Sequence, residues 1–470
     1  MFERLFRLRE QGTTVRTEVV AGLTTFLTMS YIIFVQPAVL SGALVGHPTG
    51  MAFGAVMTAT CLAAALASAI MGLYGRYPIA QAPGMGENFF FVFTAIPAAA
   101  AAGAAVPWAT ALGAVFISGV LFLGLTLAGA REVVMQAISP SLRHAIAAGI
   151  GLFIAFIGLQ NAGLILKDPG TAVRLNPQFA SPDLIVFGLG LLVGGGLHAR
   201  RVRGSILWGI LAAGAAALLL KEVAPTLMPG YVASAAYSQS MLVSRFSVAT
   251  ALVAWPPSIA PTFLHFDLRG AFTLAMAPII GVFLFMVFFD TVGTLVGVAQ
   301  QAGLMKEGQL PRARQAFVSD AVGTVAGAAL GTSTVTSFIE SATGVEQGGR
   351  TGLTAVVVAL LFLVAPFFSP VVAMLGGYAA ITAPALVIVG GMMLGNVRHL
   401  DWDDGSELLP SFLVLIGIPF TYSIADGLAL GFIAYPLVKV VAGRARDVRL
   451  VSWIVAGALL AYFAALRTGA

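Results

Sequence analysis

The chain has 470 residues, of which 59% are hydrophobic and only 10% are charged. Soluble globular domains carry roughly 45–50% apolar and about 25% charged residues, and so few charges cannot cover the water-facing surface of a chain this long. The composition therefore excludes a soluble enzyme, a disordered chain and a collagen-like chain. Lys and Arg number 25 against 20 Asp and Glu, so no nucleic acid is expected as a partner. Cys61 is the lone cysteine, which excludes an internal disulfide.

Apolar runs that approach the length of a membrane span follow one another along the chain. A transmembrane helix needs about 20 apolar residues. The continuous runs lie near 19–40, 51–74, 107–130, 142–166, 183–198, 204–224, 270–298, 313–331, 351–371, 378–396, 407–423 and 426–442. Two interrupted stretches, 77–97 and 332–349, raise the predicted count to about 14 segments, and a last run at 450–466 is left open as an extra span. The predicted fold class is an all-α polytopic membrane protein.

The distribution of Lys and Arg predicts the orientation of these segments. Cytoplasmic loops of membrane proteins carry an excess of Lys and Arg. With residues 1–18 inside and both interrupted stretches crossing the bilayer, most of these cations fall in inner loops. The outer loops then hold only Lys167, Arg174, Lys221, Arg245 and Arg269. We therefore expect a multi-pass plasma-membrane protein with a cytoplasmic N-terminus.

A long loop at 225–269 divides the segments into two sets of seven. Because each set has an odd number of spans, the two halves take opposite orientations, which is the arrangement of an inverted repeat. The interrupted stretch is third in each half, so the two interrupted segments are the third and the tenth and are expected to meet in mid-membrane.

The first interrupted stretch contains Pro-Gly-Met-Gly at 83–86. Non-helical backbone at this depth is tolerated only where it is buried in protein or lines a cavity. A half-helix that begins near Gly86 would direct its free N–H groups into that cavity. Asn88 then offers an amide to a ligand. Phe89, Phe90, Phe91 and Phe93 are expected mostly to pack, although one of them could stack on a flat ligand. Glu87 points about 100° away from Asn88, either at the cavity rim or in a structural pair.

The second interrupted stretch is rich in hydroxyl groups. Ser, Thr and Val alternate over 332–337, a pattern that favours a short extended segment, and Glu340 then opens a half-helix. A charged acid in mid-membrane costs at least about 2.5 kcal/mol on insertion scales. We therefore expect Glu340 to be paired, protonated or in contact with a ligand, with hydroxyls such as that of Thr336 supplying hydrogen bonds.

A third intramembrane acid, Asp290, shares one helix face with Thr294 and Gly297. Acids inside a membrane are functional by default, and helix packing through a polar stripe is the alternative for this face. Asp320 and Asp426 are instead expected to hydrogen-bond at helix ends or between helices.

No enzyme, metal or nucleotide motif is found in the sequence. There is no Walker loop, and the histidines are scattered at His47, His144, His198, His265 and His399. We therefore expect no catalytic residue, no metal and no cofactor.

The interrupted stretches and their neighbours resemble the nucleobase–ascorbate transporter superfamily, specifically the AzgA-like hypoxanthine–guanine–adenine permeases. The resemblance runs from about residue 10 to residue 445. It is carried by Ala-Pro-Gly-Met-Gly-Glu-Asn at 82–88, Phe-Asp-Thr-Val-Gly-Thr-Leu at 289–295, Gly-Thr-Ser-Thr-Val-Thr-Ser-Phe-Ile-Glu-Ser-Ala-Thr-Gly at 331–344, Gly-Gly-Arg-Thr-Gly at 348–352 and Ile-Pro-Phe-Thr-Tyr-Ser-Ile at 418–424.

The resemblance implies a division into a core domain and a gate domain. The implied parts are a cytoplasmic N-terminus (1–18), core halves (19–140 and 270–376), gate halves (141–224 and 377–443), an extracellular linker (225–269) and a C-terminal segment (444–470). It also implies that substrate lies between the two broken segments and that many members couple uptake to protons. In relatives, the residues at the positions of Asn88 and Glu340 are tied to purine binding, and the acid at Asp290 to selectivity.

Two positions depart from the family's pattern. Relatives usually carry a second acid one turn before Asp290, where this chain has Val287, and an apolar residue where this chain has Glu87. Compared with relatives, this chain therefore has the same number of site acids, but one of them is at a different position. Another purine or a related heterocycle is therefore an alternative substrate.

The predicted function is a permease, not an enzyme, that imports purine nucleobases by alternating access and proton symport. Glu340 exchanges hydrogen bonds with ring N–H groups, Asn88 reads a carbonyl or amine, and Asp290 tunes the pocket. Glu87, Thr336 and Phe89 complete the predicted substrate site, and Glu340 and Asp290 are the predicted proton-coupling residues.

Two other classes stay open. One is an anion transporter of the same fold, of the sulfate or bicarbonate type. Such a transporter would require a cationic residue, or a site without acids, at the half-helix starts. The other is a channel or a structural membrane protein. A homodimer is a further open possibility.

Overall fold

The computed structural model describes residues 2–44, 47–129, 139–305 and 310–467, and within these ranges the chain is mainly α-helical. Nine helical stretches among them are long and apolar enough to cross a membrane. They are Val15–Leu40, Phe53–Gly75, Pro107–Leu127, Pro140–Asn161, Pro182–Ala199, Ser205–Leu227, Ala277–Ala299, Gly352–Gly376 and Ala379–His399. Met85–Ala101 and Gly405–Thr421 are shorter apolar stretches. The chain is thus a multi-pass, helical membrane protein.

Helices α1 to α15 precede the second set of spans. They are α1 Phe2–Phe6, α2 Val15–Met29, α3 Ile32–Leu40, α4 Phe53–Ile70, α5 Met85–Phe90, α6 Ile96–Ala101, α7 Pro107–Leu127, α8 Pro140–Asn161, α9 Pro182–Ala199, α10 Ser205–Leu218, α11 Ala224–Leu227, α12 Pro229–Val232, α13 Ala235–Ser238, α14 Met241–Arg245 and α15 Leu268–Ala271.

The remaining helices are α16 Ala277–Gln301, α17 Ala313–Leu330, α18 Ser341–Glu346, α19 Gly352–Val364, α20 Ser369–Gly376, α21 Ala379–Leu394, α22 Gly405–Thr421, α23 Ile424–Val441 and α24 Leu450–Arg467. Four short strands complete the described structure: β1 Gln81–Pro83, β2 Ile165–Asp168, β3 Ala172–Leu175 and β4 Val335–Ser337.

Local sequence signals explain where several long helices begin. The Ser139 hydroxyl accepts a hydrogen bond from the Leu142 amide at the start of α8, and a serine in this position satisfies an amide that has no partner within the helix. Proline occupies the first position of α7, α8 and α9, where its missing N–H costs nothing and its fixed φ suits the helix.

The first predicted span, 19–40, is not one continuous helix. It is divided into α2 and α3 by a turn at Ser30 and Tyr31. The Ser30 hydroxyl donates to the Leu27 carbonyl at 3.1 Å, and hydroxyl bonds of this kind compete with the backbone ladder of a helix.

The predicted span 142–166 ends earlier than expected. Helix α8 stops at Asn161, and Gly163 has φ +76°, a left-handed conformation that glycine adopts easily and that commonly terminates helices. Residues 165 and 166 belong instead to the β2–β3 hairpin.

The helices pack in two groups, and each group combines both halves of the chain. In one group, α4 packs against α17 and α19, and α7 packs against α17. In the other, α8 packs against α21 and α22, and α9 against α10 and α21. A Cβ added at Gly390 would lie 2.4 Å from the Gly151 carbonyl oxygen, so α8 and α21 meet backbone to backbone at this point, as small residues allow in membrane helices.

The predicted linker 225–269 contains only short helices, namely most of α11, α12 to α14 and the start of α15, beside irregular backbone. Asp183 attaches the first part of this linker to the helices. The Asp183 carboxylate accepts hydrogen bonds from the Met241 amide at 3.0 Å, the Leu242 amide at 3.1 Å and the Tyr378 hydroxyl at 2.5 Å. Residues 130–138, near the predicted boundary between the first core half and the first gate half, lie outside the described residues.

Candidate functional site

The two broken segments meet as a pair of antiparallel strands. In the β1–β4 register, Gln81 faces Ser337, Ala82 faces Thr336, and Pro83 faces Val335. Helix α5 follows β1, with Gly84 as its N-cap, and α18 follows β4, with Glu340 as its N-cap. The extended part of the second stretch and both half-helix starts are therefore where the sequence predicts them.

Glu340 lies at this junction and is 7% exposed. Its Oε1 accepts a hydrogen bond from the Tyr31 hydroxyl at 2.8 Å, and its backbone carbonyl accepts from the Thr343 hydroxyl at 2.7 Å. One oxygen of the carboxylate is thus held by a residue of the first segment, as expected for a buried acid that needs a donor.

Asp290 faces an open part of the same junction. Its Oδ2 accepts from the Thr336 hydroxyl at 2.9 Å, and the residue is exposed. Gly293 and Gly297, one and two turns further along α16, are exposed as well, and Ile339 opposite Gly297 is 48% exposed. The Asp290 face of α16 therefore borders a space next to the second broken segment.

The Glu87 side chain folds over the first broken segment towards Thr336. A Cβ added at Gly84 would lie 2.3 Å from Glu87 Oε2 and 3.2 Å from Thr336 Oγ1, so a side chain at position 84 would collide with this carboxylate. Glu87 is 2% exposed, and Thr336 donates its hydroxyl hydrogen bond to Asp290. Thr336 thus lies beside both acids.

Asn88 and Phe89 are fully buried, away from the open face. Asn88 Oδ1 accepts a hydrogen bond from the Ser333 hydroxyl, and that hydroxyl accepts from Gln36 Nε2 at 3.1 Å. The Phe89 ring stacks on Phe93, with centroids 6.0 Å apart. In this conformation Asn88 therefore joins the two broken segments, and Phe89 packs within the first of them.

Asp320 holds the second broken segment in place. Its carboxylate accepts from the Thr291 hydroxyl at 2.5 Å and from the Ser337 hydroxyl and amide at 2.9 and 3.2 Å. The predicted role of Asp320, hydrogen bonding between helices, agrees with this geometry. Asp426, the other acid assigned such a role, lies in the first turn of α23.

Val287 lies in the apolar interior of the protein. It is 1% exposed and belongs to a buried apolar cluster with Phe288 and Phe317. The residue of this turn that approaches α5 is Met286, whose Cε lies 3.6 Å from a Cβ added at Gly86.

Sequence reasoning missed three polar residues of the first segment. Tyr31 contacts Glu340, and Gln36 donates to Thr332 at 2.9 Å as well as to Ser333. Glu18, fully buried, accepts from the backbone that precedes α19. The available signal was the polarity itself, because each of the three interrupts or begins an apolar run.

An aromatic cluster closes one side of the junction. The Tyr422 ring lies edge-on to Phe93 and Phe153 with centroids 5.3 Å away in both cases, and to Phe156 at 6.3 Å. The Tyr422 hydroxyl donates to Gln160 Oε1 at 3.0 Å. We call Phe93, Phe153, Phe156 and Tyr422 the aromatic seal; it joins the first broken segment to α8 and the end of α22.

The acids at the junction have no cationic partner in the part of the chain that the structure describes. The ion pairs found there join other residues, among them Lys439 with Glu407 at 2.9 Å. The same ranges contain no cluster of His, Cys, Asp and Glu that could hold a metal ion. The junction therefore offers neutral hydroxyls and acidic oxygens, a surface suited to a ligand with N–H donors.

Sequence comparison identifies the family of this architecture. A family model named Xan_ur_permease and described as a permease family matches residues 16–429. The chain belongs to this permease family, within the nucleobase–ascorbate transporter superfamily, which makes it a transporter rather than an enzyme.

Similar proteins cover nearly the whole chain. A putative permease of Methanocaldococcus jannaschii, MJ0326, is 45% identical over 97% of this chain and 96% of its own length. The adenine permease AdeP of Escherichia coli is 42% identical over 95% of this chain and 92% of its own. The guanine/hypoxanthine permease PbuO of Bacillus subtilis is 40% identical over 94% of this chain and 96% of its own.

Solved structures share the fold at low sequence identity. The transmembrane domain of the cyanobacterium bicarbonate transporter BicA matches with a TM-score of 0.57 and 14% identity, covering 88% of this chain and 96% of that domain. SLC26A9 matches with a TM-score of 0.60 and 12% identity, covering 94% of this chain and 68% of that protein.

Proposed function

We propose that this chain is a secondary active transporter that imports purine nucleobases. Relatives named as guanine/hypoxanthine and adenine permeases support the substrate class. The observation that carries the proposal is the group of acids at the junction, Glu87, Asp290 and Glu340, which lack a cationic partner within the described ranges.

A purine base is chemically suited to this surface. It is neutral and flat, and it presents ring N–H donors that carboxylates accept strongly. In the proposed site the base enters from the open side at Asp290, which Thr336 holds, and meets the buried Glu340 and Glu87 next to it. Asn88 and Phe89 form the wall behind the first broken segment and reach the base only after a local rearrangement.

Transport is proposed to follow alternating access in a seven-plus-seven inverted repeat of about 14 segments. The proposed core comprises 19–140 and 270–376, and the proposed gate comprises 141–224 and 377–443. The aromatic seal lies between these parts on the proposed outer side, while the Asp290 face of α16 opens on the proposed cytoplasmic side. Movement of the core against the gate would break the seal and expose the site to the exterior.

Proton symport is proposed to use Glu340 and Asp290. Asp290 is close enough to Glu340 for their negative charges to repel, and closing a water-free site over several carboxylates is costly. A proton that binds together with the base removes one negative charge before the site closes. The protein is then a symporter of the inner membrane with its N-terminus in the cytoplasm.

The proposal is tested by purine uptake into proteoliposomes with and without an inward proton gradient. We expect saturable uptake that competing purines inhibit and that the gradient drives. Glu340→Gln keeps the side-chain size and removes the titrating group, so it should weaken base binding by about 1.5–3 kcal/mol, the worth of a hydrogen bond to a charged group. It should also abolish gradient-driven accumulation.

The same assay discriminates between the alternatives. If Glu340→Gln still concentrates base when the gradient is imposed, Glu340 is not the coupling residue. Sulfate or bicarbonate uptake without purine uptake would identify an anion transporter, although the acids at the junction repel anions. Solute flux that never saturates would identify a channel. A thermal-shift screen of purines, pyrimidines and xanthines on the purified protein then selects the base, including a related heterocycle.

A further inference from the structure

One face of α2 lies along α18, the helical part of the second broken segment. Glu18, Ala21, Thr25 and Thr28 are spaced by three or four residues, so they share one side of the helix. Tyr31 continues this line into the turn before α3. We call these five residues the α2 face.

The contacts of the α2 face run from Arg350, which follows α18 in the chain, back to Glu340, which precedes α18. Glu18 accepts from the Arg350 amide at 2.9 Å. The Thr28 and Thr343 hydroxyls are 3.2 Å apart, and the last contact is the 2.8 Å bond from Tyr31 to Glu340.

Between these contacts the two backbones approach closely. A Cβ added at Gly344 would lie 2.1 Å from Thr25 Oγ1 and 2.7 Å from the Ala21 carbonyl oxygen. Only glycine fits there, so α18 cannot rotate or slide without meeting α2. The short helix that begins at Glu340 is therefore braced along its length by the first segment.

Tyr31 is the member of the α2 face that acts on a side chain of the proposed site. Its ring is 1% exposed and belongs to the main apolar cluster, so ring packing fixes the position of the hydroxyl. That hydroxyl donates to Glu340 Oε1. A free glutamate side chain samples many rotamers, and a donor on a rigid ring selects one of them.

We infer that Tyr31 is a positioning residue of the transport site, whose hydroxyl holds the Glu340 carboxylate in the orientation that receives the base. The inference rests on the proposed function, because it concerns how Glu340 meets a nucleobase. It adds a residue of the first segment to a site otherwise built from the broken segments and α16.

The test is a double-mutant cycle on base binding by purified protein, with the purine that gives the largest thermal shift. Tyr31→Phe keeps the ring and removes only the hydroxyl. We expect it to weaken binding roughly tenfold. In a Glu340→Gln background the same change should weaken binding by less than about threefold, because a neutral amide accepts hydrogen bonds less strongly than a carboxylate.

Tyr378→Phe is the matched control. Tyr378 is as buried as Tyr31, and its hydroxyl also donates to an acid, Asp183, at 2.5 Å. Loss of that bond should lower the apparent melting temperature without changing base affinity. A purely structural role for Tyr31 would give Tyr31→Phe this same result.

The outcomes separate this inference from the proposed function. Unchanged affinity in Tyr31→Phe, or an equal loss in both backgrounds, overturns the positioning role. If Glu340→Gln binds as the unmodified protein does, the role given to Glu340 fails, and the positioning role fails with it. If the unmodified protein binds no purine, the proposed function itself fails.

Discussion

Glu18→Ala is a substitution outside the substrate site for which the structure predicts a large loss of stability. Glu18 is fully buried, and its carboxylate accepts from the amides of Arg350 at 2.9 Å, Thr351 at 3.3 Å and Thr354 at 3.2 Å. It also accepts from the Thr354 hydroxyl at 2.6 Å. These amides lie at the start of α19, where a helix has no internal acceptors for them.

The magnitude follows from the donors that Glu18→Ala would strand. The Thr354 amide and hydroxyl keep the Thr351 and Glu18 carbonyls as acceptors, at 3.3 and 3.4 Å. The Arg350 and Thr351 amides are therefore the two donors left without a partner among the described residues. Each buried donor without a partner costs about 1–3 kcal/mol, which implies a loss of about 3 kcal/mol. A loss of 1 kcal/mol lowers the melting temperature of a chain of 150–250 residues by roughly 2–4 °C, and that of a longer chain by less. We expect the apparent melting temperature in detergent to fall by about 3–6 °C.

Two matched variants make this measurement decisive. Glu18→Gln keeps one acceptor oxygen and should lose about half as much. Glu10→Ala removes an exposed acid whose ion pair with Arg7 is 3.6 Å long, a contact worth about 0–1 kcal/mol, and should melt as the unmodified protein does. If Glu18→Ala melts within a degree of Glu10→Ala, the carboxylate does not support α19, and the account of the α2 face is wrong at that end.

Two further predictions concern selectivity and topology. Glu87→Leu removes the acid that lies over Gly84 and should change which bases are transported, or abolish transport, while expression persists; unchanged affinity for the same bases, measured by competition in proteoliposomes, would show that Glu87 only packs. Ser238 lies in α13 and is exposed, so Ser238→Cys should react with an impermeant maleimide in intact cells, whereas reaction only after lysis would contradict the predicted orientation. The native Cys61 is buried and gives little background.

The local features of the junction could be read from the sequence. Proline and glycine at 83–86 interrupt any helix, and the alternating hydroxyl residues before Glu340 favour an extended backbone. Both signals act over a few residues, so neighbours in sequence suffice to reveal them. The half-helix starts were predicted for the same reason.

Contacts between distant parts of the chain could not be read in this way. The β1–β4 register joins positions more than 250 residues apart, and three-residue strands carry too little pattern to specify a partner. The bond from Tyr31 to Glu340 was missed for the same reason, because the two residues are 309 positions apart. The hairpin at 165–175 was missed because apolar Ile165 and Leu166 extend the hydrophobic run of α8 beyond the glycine that ends it.

The burial of Asn88 and Phe89 shows a different limit of sequence reasoning. Position in a broken segment places a residue at the right depth but does not fix the direction of its side chain. Asn88 is engaged by Ser333 and Phe89 by Phe93, so both serve packing in this conformation. Their proposed contact with a base therefore depends on movement of the first broken segment.

The number of donors around each buried acid separates structural acids from those that remain available to a ligand. Glu18 receives four hydrogen bonds, and Asp183 and Asp320 are each fastened by donors on both oxygens. A carboxylate filled in this way has few lone pairs left for a ligand.

The proposed site acids are different. Glu340 and Asp290 each receive one side-chain hydrogen bond, from Tyr31 and Thr336, and among the described residues no other side chain is found to donate to Glu87. Sequence polarity ranks all these acids alike, because each is a rare charge in an apolar chain. Glu340 and Glu87 are buried with few donors, which is costly. A bound base and a proton can relieve that cost.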